Sequence, residues 1–254
     1  MAKRGDQFAI RNPEYLERFR PFHNPTSFEQ IAAAVQKGLD INKAAARCLD
    51  SMAGTGMVGH YLKKIFKNIH VVFQDKSEKM LASAAYSAED ERVLSDAAAL
   101  PFADQSFDIV TCRVGLNNVS EKDYPKILSE YLRVLSDKGI VVLQDHFADT
   151  PEAKTTINQL EKMIAEIEGR NDETYVPTIK ELEQMIVQAG GKITKEDRFN
   201  IDFSLLDRLH SKRVVKPNIS AIQNLLQSQK SVACKIAKDD IIITYRISTI
   251  VFKK

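Results

Sequence analysis

The feature that most constrains this chain is an alternation of short apolar runs with helical periodicity between residues 44 and 190. Strand-like runs occupy 44–49, Val71-Val72-Phe73, Arg92 to Leu94, Phe107 to Cys112 and Ile140 to Leu143. Between them, Met57, Val58, Tyr61, Leu62, Ile65 and Phe66 share one helical face, residues 77–86 read as helix, and Ile127, Leu128, Tyr131, Leu132 and Leu135 share another face. Strands joined through helices run parallel, and the helices cover both faces of the sheet.

The flanks add detail. Ser27-Phe28-Glu29-Gln30 reads as a capping box before Ile31, Ala34 and Val35, with Gly38 as a stop. Residues 152–168 form a charged helix, and Thr178 with Glu181 opens a helix that stops at Gly190-Gly191. A strand near 192–203, a helix opening at Pro217 and a last strand over 241–252 complete the reading.

Ligands of such sheets bind beyond the carboxyl ends of the strands, where the strand order reverses. Gly54-Thr55-Gly56-Met57-Val58-Gly59 is a literal G-x-G-x-x-G, with Asp75 about 20 residues on. Alone, this pattern suggests a nicotinamide dehydrogenase. Three features oppose it. Asp50 precedes the turn, where a carboxylate repels a pyrophosphate and suits a cation. Asp96 ends the third strand, so acids follow three successive strands. The segment from Asp96 through Leu100-Pro101-Phe102 to Phe107-Asp108-Ile109-Val110 is the third.

These residues resemble a class I S-adenosylmethionine-dependent methyltransferase of the ubiquinone/menaquinone-biosynthesis-like small-molecule group. Four ordered motifs carry the resemblance over roughly 45–146: Leu49 to Gly56, Val71 to Leu81, Leu100 to Asp108, and Glu130 to Gly139. The resemblance implies a Rossmann-like, doubly wound α/β sheet of about seven mostly parallel strands with an antiparallel last strand. It implies one domain, with a helical cap over 1–40, an inserted lid over 147–177 and an insertion over 205–239.

The resemblance also implies roles. Gly54, Gly56 and Ala53 let the backbone approach the methionine portion of S-adenosylmethionine, and Asp50 orders the turn and helps hold the ammonium end. Asp75, with Lys76 beside it, takes the ribose hydroxyls. Asp96 and Ala97 meet the adenine, and Arg113 offers backbone to the amino group. Past the fifth strand, His146 is a candidate general base with Asp145 setting its tautomer. The acceptor is a small molecule methylated on oxygen, nitrogen or carbon. Phe8, Tyr15, Phe19 and Phe22 are candidates to line its lid. The family usually has Gly where this chain has Met52. That departure keeps an alternative open: a catalytically silent methyltransferase-fold protein that binds the cofactor or a protein partner.

Composition removes other classes. Apolar residues make up 44% and charged residues 28%, in the globular range. No apolar run reaches the roughly 18 residues of a membrane span. Cys48, Cys112 and Cys234 make neither a zinc spacing nor a disulfide framework and fit a reducing cytoplasm. Net charge is +2, but residues 211–254 carry nine Lys/Arg against two Asp/Glu. That segment is a candidate face for an anion or simply a solvated surface. The rest lacks the basic stripe of a nucleic-acid binder. A homo-oligomer stays open.

Overall fold

The structure, a computed structural model, describes residues 24–39, 45–83, 85–168, 174–205, 209, 216–229, 231–236 and 240–254. The aromatic residues Phe8, Tyr15, Phe19 and Phe22, with His23, lie outside the described residues, as do residues 211–215 of the basic segment.

The apolar runs become β1 (Ala46–Ser51), β2 (Ile69–Asp75), β3 (Glu91–Leu94), β4 (Phe107–Arg113) and β5 (Leu135–His146), all paired in parallel. Leu49, Val72, Val110 and Val141 are wholly buried, as strands covered on both faces require. The sheet continues antiparallel onto β8 (Ile241–Lys253), which also pairs with β6 (Lys192–Ser204) and the short β7 (Cys234–Ile236). The order is β3-β2-β1-β4-β5-β8-β6, with β7 beside β8, eight strands in all. The chain moves outward from β1 in one direction and then returns to start β4 on its other side. The strand order therefore reverses between β1 and β4.

Helices α1 (Pro25–Gly38) and α2 (Met57–Ile65) close one face, packing Ile31, Val35 and Leu62 on Ile140 and Val142. Helices α4 (Tyr124–Val134) and α6 (Ile179–Gln188) close the other with Ile127, Tyr131, Leu182 and Ile186. A third cluster lies under α5 (Pro151–Glu168) and α7 (Lys216–Ser228), where Leu160, Ile164 and Ile222 meet Phe203, Ile243 and Tyr245. Alternation along β8 sets Tyr245 and Ile247 on the same side as Val251, so this cluster shares the face of α1. Among the described residues, no helix is long and apolar enough to cross a membrane.

Four local expectations change. The first helix starts at Pro25, not after Ser27. Asn24 caps it, accepting from Thr26 N at 3.0 Å, and Pro25 suits the first turn. Ile65 is 48% exposed, because α2 ends there and Phe66 alone turns inward. The helix expected over 77–86 is a single turn, α3 (Glu78–Leu81), because the chain leaves it to carry Tyr86 under the glycine turn. β5 begins at Leu135 and passes through Gly139, with a register shift against β4 between Phe107 and Ile109.

Candidate active site

The site is assembled where β1, β2, β4 and β5 end. Met52, Gly54 and Gly56 follow β1 with φ of 52°, 58° and 76°, left-handed backbone that turns the chain sharply into α2. The turn is held at several points. Ala53 N donates to Gln74 O at 2.9 Å, and Gly56 N donates to Ala53 O at 2.8 Å. Gly54 N donates to Asp75 Oδ2 at 2.8 Å, while Ser77 N donates to Asp75 Oδ1 at 2.8 Å. Burial raises the Asp75 carboxyl, against the hydrogen bonds from Ser77 and Gly54 and the charge of Lys76.

Asp50 lies deeper, 2% exposed. Its Oδ2 accepts from Gly59 N in the first turn of α2 at 2.9 Å, and its Oδ1 accepts from Thr111 Oγ1 of β4 at 3.0 Å. It therefore locks β1, β4 and α2 together. Burial pushes its carboxyl up to about 7, opposed by the Gly59 and Thr111 hydrogen bonds.

Gln74, absent from the sequence reading, is 1% exposed. Its Oε1 accepts from Ser51 Oγ at 2.7 Å and Met52 N at 3.2 Å, and its Nε2 donates to Ser95 O at 2.6 Å. One amide so joins the ends of β1 and β2 to the segment after β3. The available signal was a lone polar residue closing the apolar run Val71-Val72-Phe73. Beyond it, Asp96 is exposed and its Oδ1 accepts from Ala98 N at 2.9 Å, while Ala97 is 4% exposed. Both follow β3, beside the Asp75 end of β2.

Arg113 ends β4 and sends its side chain to α1. Its Nε donates to Ser27 Oγ at 2.8 Å and Gln144 Oε1 at 3.2 Å, and its guanidinium lies 4.7 Å from the Phe28 ring centre. Ser27 Oγ also donates to Gln144 Oε1. Ser27, Arg113 and Gln144, with Val114, Phe199 and Ile247, line a narrow cleft at the seam between α1 and the β6–β8 side.

At the end of β5, His146 is 4% exposed. Its Nδ1 lies 3.2 Å from Asp145 Oδ1 and 3.4 Å from Asn117 Nδ2. Asp145 Oδ2 accepts from Asn117 N at 3.2 Å. His146 Nε2 is buried without a hydrogen-bond partner, and the ring lies 4.7 Å from that of Tyr245. His146 pairs with Ile247 across the sheet, next to the cleft. The structure thus gathers Asp75, Asp96, Ala97, Arg113, Asp145 and His146 at the strand ends, and draws Asp50 beneath the turn. Among the described residues, no group of three or more His, Cys, Asp or Glu is placed to hold a metal ion.

Residues 48–139 match the family model described as a methyltransferase domain. Over that stretch the chain is similar to methyltransferases. The chain is 34% identical over 131 residues to a demethylmenaquinone methyltransferase of Thermotoga maritima, covering 51% of the chain and 55% of the relative. It is 42% identical over 112 residues to one of Thermus thermophilus, covering 42% and 50%. The chain thus spans about half the length of the curated relatives it matches. A solved Bacillus halodurans structure shares the fold with a TM-score of 0.75 at 21% identity, covering 91% of this chain and 99% of that one.

Proposed function

We propose that this chain transfers the methyl group of S-adenosylmethionine to a small-molecule acceptor. The observation that carries the reading is the Asp75–Gly54 bond of 2.8 Å, which joins the acidic end of β2 to a left-handed glycine turn at the point of strand reversal. The residues fit such a donor. Asp75 takes Gly54 N and Ser77 N on separate oxygens, and a carboxylate is an acceptor suited to ribose hydroxyls. Asp50 supplies negative charge beneath the turn for the cationic end. Asp96 and Ala97 stand where the adenine falls, and the Arg113 backbone faces the amino group.

S-adenosylmethionine supplies an electrophilic methyl group on a sulfonium. The chain's part is to orient that group and to place the acceptor in line with it. The acceptor lies beyond the ends of β4 and β5 in this reading, next to the narrow cleft between α1 and β6–β8. The cleft's polar side carries Ser27, Arg113 and Gln144, and its apolar side Val114, Phe199 and Ile247. Relatives named as demethylmenaquinone methyltransferases support an acceptor of the quinone-precursor kind. His146, held by Asp145, accepts the acceptor's proton.

Calorimetric titration with S-adenosylmethionine, S-adenosylhomocysteine and NAD tests the donor. Micromolar binding of both sulfur ligands, lost in Asp75→Ala and absent for NAD, is expected. Binding of neither sulfur ligand overturns the reading.

A further inference from the structure

Gly54 is gripped at both poles of its backbone. Its N–H donates to Asp75 Oδ2 at 2.8 Å, and its carbonyl accepts from the Tyr86 hydroxyl at 3.0 Å. The Tyr86 ring fills the space beside Gly56: a Cβ there would fall 2.6 Å from Tyr86 Cε1. The same ring packs edge-on against Phe73 at 5.0 Å and lies 5.3 Å from His60.

The loop that delivers Tyr86 is fastened to α2. Asp90, its side chain 2% exposed, accepts from Lys63 Nζ at 2.6 Å and from Ser87 N at 2.8 Å, and lies 3.1 Å from His60 Nε2. Burial would raise the Asp90 carboxyl, but the Lys63, Ser87 and His60 contacts hold it well below the usual range. The Asp90 carboxylate is therefore ionised throughout the physiological range.

We infer that Tyr86 is a positioning residue for the donor site, fixing the Gly54 carbonyl so that the turn is formed before the donor arrives, with Asp90, Lys63 and His60 as the clasp that holds Tyr86 in place. The inference rests on the donor reading above. A ring serving only as core needs no hydroxyl, and phenylalanine would fill the same space. Here the hydroxyl meets the carbonyl of the residue whose N–H Asp75 already holds, so the peptides on both sides of Gly54 are secured. Burial, with the charges of Asp50, Asp75 and Asp90, keeps the phenol protonated, so it remains a donor. Ordering the turn in the free protein removes a cost that binding otherwise carries.

The test compares Tyr86→Phe, Asp90→Asn and a remote core control, Ile164→Val, with the wild type. Amide exchange at Thr55 and Gly56 is read in the ligand-free protein, and S-adenosylhomocysteine affinity by calorimetry. Tyr86→Phe is expected to speed exchange at both amides and weaken the ligand roughly 3- to 10-fold, the size of one hydrogen bond. KM for S-adenosylmethionine rises with kcat unchanged. Asp90→Asn moves both readouts the same way without touching the ring, whereas Ile164→Val lowers Tm and leaves both unchanged. Wild-type exchange and affinity in Tyr86→Phe overturn the inference. A wild type that binds no S-adenosylhomocysteine overturns the donor reading instead, and the exchange data still decide whether Tyr86 holds the turn.

Discussion

Met52 and Val114 follow adjoining strands, and both hold left-handed backbone, with φ of 52° and 50°. Ser51 pairs with Cys112 just before them, so the two residues flank the strand-reversal point from either side. Each has its N–H secured, Met52 on Gln74 Oε1 at 3.2 Å and Val114 on Gln144 O at 2.8 Å. Left-handed backbone costs a non-glycine residue roughly 1–2 kcal/mol, and a β-branched residue such as Val114 rarely adopts it. The strain sits where the site is, supported by the surrounding hydrogen bonds. It also fits the glycine that the family resemblance leads one to expect where Met52 stands.

Met52→Gly relieves that strain and loses a half-buried side chain, so stability is expected to stay within about 1 kcal/mol. Met52→Val keeps the strain and adds branching, and is expected to be roughly 1–2 kcal/mol less stable than Met52→Gly. Urea unfolding of both variants checks this. Equal losses would show that the Met52 side chain, not its backbone, sets the turn.

Asp75→Asn leaves an acceptor for Gly54 N but turns an amide toward either Ser77 N or the ribose. Donor affinity is expected to fall roughly 10- to 100-fold, the range for a hydrogen bond to a charged group. Asp96→Asn is expected to cost less, because Asp96 is exposed. Calorimetry ranks the two, and a larger loss at Asp96 would reverse their assignment.

Asp50 titrates near 7 in the folded protein and near 3.9 when unfolded. Between these values the folded state keeps a proton that the unfolded chain has lost. Stability from this group therefore falls as pH rises from about 4 to about 7, then levels. The total is on the order of 4 kcal/mol at most. Asp50→Asn removes the slope. A cationic donor favours the ionised carboxylate, so its affinity is expected to rise through pH 7 in the wild type and not in Asp50→Asn. Denaturation and titration at pH 5, 6, 7 and 8 measure both, and parallel curves for the two proteins would count against the assignment.

His146→Ala is expected to leave S-adenosylhomocysteine affinity within about twofold and to lower turnover by roughly 100-fold or more, the usual contribution of a general base. Steady-state rates with a supporting acceptor, beside calorimetry, separate the two effects. Turnover equal to wild type removes His146 from the chemistry.

Arg133 gathers the Leu100-Pro101-Phe102 loop. Its guanidinium donates to Leu100 O at 3.0 Å, Phe102 O at 2.8 Å and Glu130 Oε1 at 2.7 Å. Arg133→Ala leaves these acceptors without their partner, and a loss of about 2 kcal/mol in unfolding free energy is expected. Glu130→Gln, which keeps a carbonyl for Arg133, is expected to lose less.

The sequence by itself determined the parallel sheet, because apolar runs of strand length alternate with helical faces and each strand must be covered on both sides. It also determined the order of the strand-end residues, since Asp50, Asp75, Asp96, Arg113 and His146 each follow or close an apolar run. Local capping was legible where the whole motif is local: Thr178 and Glu181 cap α6 as their spacing predicts. Ser27 has the same spacing, yet Asn24 and Pro25 offer the earlier start.

Only the tertiary structure decided where these groups point. A carboxylate at a strand end can point into the crevice or beneath it, and Asp50 turns under because Gly59 N and Thr111 receive it there. Likewise, Tyr86 lies 32 residues from the Gly54 carbonyl it binds, and Gln144 lies 117 residues from Ser27. Such contacts have no periodicity to betray them. They arise when separate elements are packed, and the hydrogen-bonding needs of buried groups select the partners.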